Sequence, residues 1–160
     1  MGLVGDMDIG NNMMLRTYRD SKGIFTNRKD PYRIANHMVD FLEIVTPSVQ
    51  TPVRRLSGGN VQKVLVGREI SNAPTVLLTA YATRGLDINS SYMIYDLINE
   101  QKQRGVSVIY VGEDLDVLVA LCDRVLVLCG GKVSGIVDGR KTDKRELGAM
   151  MTKLGGISNE

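Results

Sequence analysis

Leu56-Ser57-Gly58-Gly59-Asn60, running into Val61-Gln62-Lys63 and an apolar helical pattern, is the stretch on which the fold turns. Two glycines opening a helix behind a serine leave the backbone N–H groups of Gly58, Gly59 and Asn60 pointing outward. The positive end of the helix lies behind them and the Ser57 hydroxyl adds a donor, so a phosphate is a fitting guest. The same residues also suit a simpler role, a serine N-cap followed by a first turn that glycine loosens. Neighbouring segments decide how much weight the phosphate carries.

The string Leu56 to Lys63, with Arg68-Glu69-Ile70 and Ala73-Pro74 behind it, resembles the signature motif, usually written LSGGQ, of ATP-binding cassette (ABC) ATPases. Further on, Thr83-Arg84-Gly85-Leu86-Asp87 resembles the P-T-R-G-L-D segment that carries the D-loop in that family. Order and spacing both match. Asn60 in place of Gln, together with Arg84, resembles the tandem-cassette importers of sugars such as ribose and galactose, and of nucleosides. The resemblance runs from about Leu3 to Leu154 and is closest to the second cassette of such subunits.

That resemblance implies an α/β fold, part of a P-loop NTPase-like ABC ATPase domain spanning residues 1–160. Residues 1–72 would form the helical signature part. Residues 73–160 would form the C-terminal part of the catalytic core, with the C-terminal half of a parallel sheet, a terminal hairpin and a helix. In the family two cassettes pack head to tail, and each signature completes the site formed by the other's phosphate loop. The implied nucleotide-binding residues, acting in trans, are Leu56, Ser57, Gly58, Gly59, Asn60 and Gln62, with Gly85, Leu86 and Asp87 at the interface. ATP and magnesium would be held mainly by a second cassette, and transmembrane permease subunits would be further partners. The implied location is cytoplasmic, peripheral on the inner face of the cell membrane.

A phosphate loop of pattern G-x-x-x-x-G-K-[ST] is absent from these residues. Gly139-Arg140-Lys141-Thr142 has the wrong spacing and no apolar strand leading into it, and reads as a solvated turn. Met1 to Met7 resembles the family segment just after the glutamine loop, so the chain is expected to start inside the domain, before the signature part. The family's strand before the D-loop ends in an Asp for the metal-bound water and a Glu that polarises the attacking water. Counted back from Asp87, those places hold Ala80 and Tyr81. Glu113 stands where the resemblance puts the switch histidine. With Ala80, Tyr81 and Glu113 in those places the chain alone is not expected to hydrolyse ATP, and no metal-ligand set is expected in it.

Composition fits one domain and excludes several classes. A chain of 160 residues with 43% hydrophobic residues can bury a core, and a formal charge of +2 implies neither a nucleic-acid nor a lipid partner. The apolar runs are of strand length rather than membrane length. Cys122 and Cys129 lack metal spacing and read as buried reduced thiols, and the lone histidine, His37, reads as a surface or packing residue.

Along the chain, Leu3 to Leu15 reads as weakly structured and Arg16 to Asp30 as a connecting loop. Helical spacing follows over Pro31 to Glu43, Gly58 to Ser71 and Asn89 to Arg104, with Met93, Ile94, Leu97 and Ile98 on one face. Thr75 to Thr79 and Val106 to Val111 read as buried strands. A short helix carries Leu115, Leu118, Val119 and Cys122. Gly130-Gly131 suits a tight hairpin between Val125 to Cys129 and Lys132 to Val137, because glycine tolerates positive φ. Thr142 can cap a last helix with Leu147, Met150, Met151 and Leu154 inward. In the resembling fold the phosphate-loop strand lies between Val106–Val111 and the first hairpin strand, which predicts unpaired apolar edges and self-association unless the hairpin closes the gap.

A different function remains open on these residues: a non-catalytic α/β regulatory or interaction module derived from such an ATPase. An unrelated active site finds no nucleophile and base pair to support it.

Overall fold

The computed structural model describes residues 2–18 and 29–152, and the chain divides into two compact units, residues 1–109 and 110–160. The first unit begins with a helix where the sequence suggested weak structure, α1 (Ile9–Met14). Six residues carry too little periodicity to announce a helix; polar bonds build this one. The Asp8 carboxylate accepts the Asn11 N–H at 2.6 Å and the Tyr32 hydroxyl at 2.7 Å. Buried Asn12 accepts from the Val4 N–H and donates to the carbonyls of Val4, Met7 and Asp8. Most of the loop expected from Arg16 to Asp30 lies outside the described residues, while Lys29 and Asp30 already belong to α2 (Lys29–Phe41), which packs on α1.

The signature helix α3 (Gly58–Ser71) has the bounds that its sequence predicts. Gly67 lets it approach the preceding segment, since a Cβ there would lie 3.0 Å from Leu42 Cδ1. Two cations are buried on α3, each with a partner. Lys63 Nζ donates to the Glu43 carbonyl at 3.4 Å. Arg68 donates to the Gly2 carbonyl at 2.7 Å and pairs with Glu69, which also holds Arg16 at 2.7 Å.

Strand β1 (Val76–Ala80) leads through α4 (Ile88–Gln103) to β2 (Ser107–Val111), and the two strands form a short parallel pair. Ile94, Leu97 and Ile98 are buried on α4, as their helical spacing requires. The expectation that both strands are buried is corrected. Leu77 points inward at 8% exposure, but Leu78 is 69% exposed, and Val76, Ile109 and Val111 are exposed with it. Successive side chains alternate between faces, and only one face of each strand is covered by described residues.

The second unit holds α5 (Leu115–Leu121), β3 (Arg124–Cys129), β4 (Lys132–Asp138) and α6 (Lys144–Thr152). Gly130 and Gly131 take φ of 57° and 75°, the positive values that a two-residue hairpin turn demands, and β3 and β4 pair antiparallel around them. Val125, Val127 and Leu147 form the core, with Leu115, Val119, Cys122, Val137 and Met150 packed on it. Asp143, not Thr142, receives the Glu146 N–H, at 2.8 Å; the Thr142 hydroxyl donates instead to the Glu146 carboxylate at 2.7 Å. Met151 is exposed rather than inward, and Leu154 lies outside the described residues. Both cysteines are half-buried rather than buried. Among the described residues the strands form two pairs, β1 with β2 and β3 with β4.

Candidate functional site

A 3-10 turn at Val53–Arg55 delivers Leu56 in extended conformation, and Ser57 then caps α3. The Ser57 hydroxyl accepts from the Asn60 N–H at 3.4 Å and from Asn60 Nδ2 at 3.0 Å. Two incoming bonds leave its own O–H proton for another acceptor. Asn60 also accepts the Val45 N–H at 3.0 Å, which ties the preceding loop to the helix start. The first N–H groups of a helix have no intrahelical acceptor. Those of Gly58 and Gly59 enter no turn, loop or cap bond among the described residues.

The two glycines differ in surroundings. A Cβ on Gly58 would meet nothing within 4 Å, whereas one on Gly59 would lie 3.3 Å from Leu86 Cδ2. Gly59 therefore brings the signature turn against the D-loop segment, a contact that the spacing of the two motifs does not announce. Gln62 is half-buried on the same helix.

The D-loop segment is built as a turn leading into α4. Gly85 at φ 79° carries the left-handed step. Asp87 caps α4, its carboxylate accepting the Ser90 N–H at 2.9 Å and the Ser90 hydroxyl at 2.7 Å. These bonds hold its pKa below the ordinary 3.8, the backbone bond from Ser90 having the largest effect and the Lys63 charge adding to it. The ammonium that bonds the Glu43 carbonyl thus also bears on the D-loop cap. A lysine in an apolar helix pattern gives no sequence signal of that kind.

At the C-terminal end of β1, the Ala80 side chain offers no oxygen for a metal, and Tyr81 is exposed with φ 53°, a left-handed backbone uncommon outside glycine. In the second unit Glu113 is exposed, in the turn before Asp114 caps α5. Among the described residues no group of three or more His, Cys, Asp or Glu side chains gathers as a metal site. His37 is exposed and stacks on Phe41 at 5.8 Å between centroids. Among the described residues the geometry offers an anion a set of outward N–H donors on α3.

No protein-family model matches the chain. It is 38% identical over 151 residues, 94% of its length and 30% of the relative's, to the xylose import ATP-binding protein of Moorella thermoacetica. It is 33% identical over 165 residues, 99% of its length and 32% of the relative's, to the galactose/methyl galactoside import ATP-binding protein of Clostridium perfringens. The Escherichia coli protein of that name is 34% identical over 149 residues. The chain spans about a third of the length of the curated relatives it matches. A dimeric ATP-binding cassette bound to ADP and Pi superposes with a TM-score of 0.74 at 22% identity, over 88% of this chain and 60% of that one. An ATP-binding subunit of an ABC transporter gives 0.76 at 18% identity, over 94% and 65%. At such identities the solved structures speak for the fold. The chain is thus a relative of sugar-import ATP-binding proteins, and its fold is part of an ABC transporter ATPase cassette.

Proposed function

We propose that the chain is part of the ATP-binding subunit of an ABC importer for sugars or nucleosides. In this role it supplies its signature and D-loop segments to Mg-ATP held by a second cassette, next to transmembrane permease subunits at the inner face of the membrane. The observation that carries the proposal is the exposed first turn of α3, where Ser57, Gly58 and Gly59 present donors that no acceptor among the described residues takes up. The import functions of the sequence relatives support it. No helix among the described residues is long and apolar enough to cross a membrane, so membrane contact would run through the permease.

Bound ATP would supply the phosphoryl group whose transfer to water drives transport. The Gly58 and Gly59 N–H groups and the Ser57 hydroxyl would orient that group and stabilise the negative charge growing on its oxygens, preorganised by the Asn60 bonds. Leu56 and Gln62 flank this turn, and Gly85, Leu86 and Asp87 line the same interface through the Gly59–Leu86 contact. The side chains of Ala80 and Tyr81 put neither a magnesium ligand nor a carboxylate base after β1, and Glu113 takes the place of the switch histidine, which would make the pair asymmetric and leave the chain alone without turnover. Residues 1–72 would serve as the signature part and 73–160 as the remainder of the core.

The test rebuilds a tandem subunit around the chain and measures ATP turnover with the permease present. Ser57→Ala and Gly59→Asp are each expected to lower turnover a hundredfold or more, the effect of losing a preorganised donor worth about 2–4 kcal/mol. Parental turnover in both variants, with loss on substituting Ala80 and Tyr81, would overturn the proposed division of labour.

A further inference from the structure

Lys63 is a buried cation that packing alone does not explain. At 8% exposure it makes one hydrogen bond, from Nζ to the Glu43 carbonyl at 3.4 Å, which is long for such a bond. An ammonium carries three donors, and no acceptor among the described residues takes up the other two. Burying a charge is costly unless it is paired, and an uncharged methionine would fill the same slot without that cost.

The surroundings of Lys63 give the charge a use. Residues four apart share a helix face, so Lys63 lies on the face where Gly59 meets Leu86, the neighbour of Asp87. Beyond the Ser90 bonds, the Lys63 charge also favours the Asp87 anion. On its other side the Glu43 carbonyl is a fixed point. Glu43 takes φ 49° just past α2, where helices commonly place glycine. The Glu43 N–H donates to the Asp40 carbonyl at 3.3 Å and the Ile44 N–H to that of Val39 at 2.9 Å, which locks the step. Asn60, one turn before Lys63, grips the same connection through Val45.

We propose that Lys63 is a positioning residue of the site: its ammonium, anchored on the Glu43 carbonyl, holds the D-loop cap in place against the first turn of α3. The donors of Ser57, Gly58 and Gly59 and the Asp87 turn then meet the second cassette as one unit. This rests on the proposed function. The Gly59–Leu86 contact is apolar and non-directional, so it brings the two turns together without fixing how they face. The charge adds that restraint.

The experiment measures ATP turnover of the rebuilt tandem subunit, with the permease present, for Lys63→Met, Lys63→Arg and Ser57→Ala. The full chain carrying each lysine variant is also unfolded in urea. Lys63→Met is expected to lower kcat about tenfold and to change the KM for ATP by less than about twofold, because the second cassette holds the nucleotide. Lys63→Arg, which keeps the charge and the donors, should recover most of the loss. The urea midpoint of Lys63→Met should stay at or above the parental value, since methionine leaves no charge to bury. A lower midpoint would show that the lysine serves stability and would overturn the inference. Equal loss in Lys63→Arg, or parental turnover in Lys63→Met beside a loss in Ser57→Ala, would overturn it too. Parental turnover in Ser57→Ala would instead strike the proposed function, and the inference would fall with it.

Discussion

At the start of α3, exposure comes with restraint: Ser57 and Asn60 bond each other, Asn60 reaches back to Val45, and Gly59 rests on Leu86. Along β1 and β3 exposure comes without it, and Val76, Leu78, Leu126 and Leu128 present bare hydrocarbon to water. The first surface is finished, a set of polar groups held in place with donors to spare. The second is a surface whose burial would release free energy that the described residues leave unused.

The sharpest way to break this contrast uses one residue type in two places. Leu97, buried on α4, and Leu78, outward on β1, differ in exposure by 5% against 69%. Leu97→Ala is expected to cost about 2–5 kcal/mol in urea unfolding of the full chain. Leu78→Ala should stay within about 0.5 kcal/mol. A comparable loss at both positions would mean that the β1 face is covered in solution.

A smaller effect is expected at the finished surface. Asp87→Ala removes the cap that Ser90 satisfies and should destabilise the chain by about 1 kcal/mol, read from the same unfolding curves. An unchanged midpoint would show that the D-loop turn does not depend on its cap. Smaller again is the difference between the two signature glycines. Gly58→Ala enters open space, whereas Gly59→Ala presses on Leu86, so their stabilities should differ on the order of 0.5 kcal/mol in favour of the Gly58 variant. The reverse ranking would deny the contact between signature and D-loop.

The smallest effect is a pH dependence. Because Ser90 lowers the Asp87 pKa, the folded state binds this proton less readily than the unfolded chain. The stabilisation is present above the ordinary 3.8 and is lost as pH falls through the lower folded value. The stability gap between the parent and Asp87→Asn should therefore hold down to about the ordinary 3.8, narrow as the pH falls further and be gone below the lower folded value. A gap that closes at neutral pH would assign the effect to another group.

What could be read along the chain was whatever short-range signals encode. The bounds of α3, the buried face of α4 and the Gly130-Gly131 hairpin follow from caps, periodicity and turn chemistry within a few residues. Helix α1 was not readable, because Asp8 draws on Tyr32 and Asn12 on Val4 and Met7, bonds that cross the sequence. The strands were recognised but their burial was not. An apolar run records a capacity for burial, while the layer that covers it is a separate stretch of polypeptide. Within the site, the signature and D-loop residues stood out by motif, whereas the Lys63 anchor on Glu43 and its charge near Asp87 had no local mark.

The sequence by itself determined the start of α3, the hairpin turn, the identity of Ala80, Tyr81 and Glu113, and the donors at Ser57 to Asn60. These depend on backbone preferences and on functional groups that neighbouring residues suffice to specify. Only the tertiary structure decided that Gly59 meets Leu86, that Lys63 and Arg68 are buried with partners, and that one face of each strand stays open. Those outcomes depend on which distant surfaces approach each other, and packing across long sequence separations sets that approach.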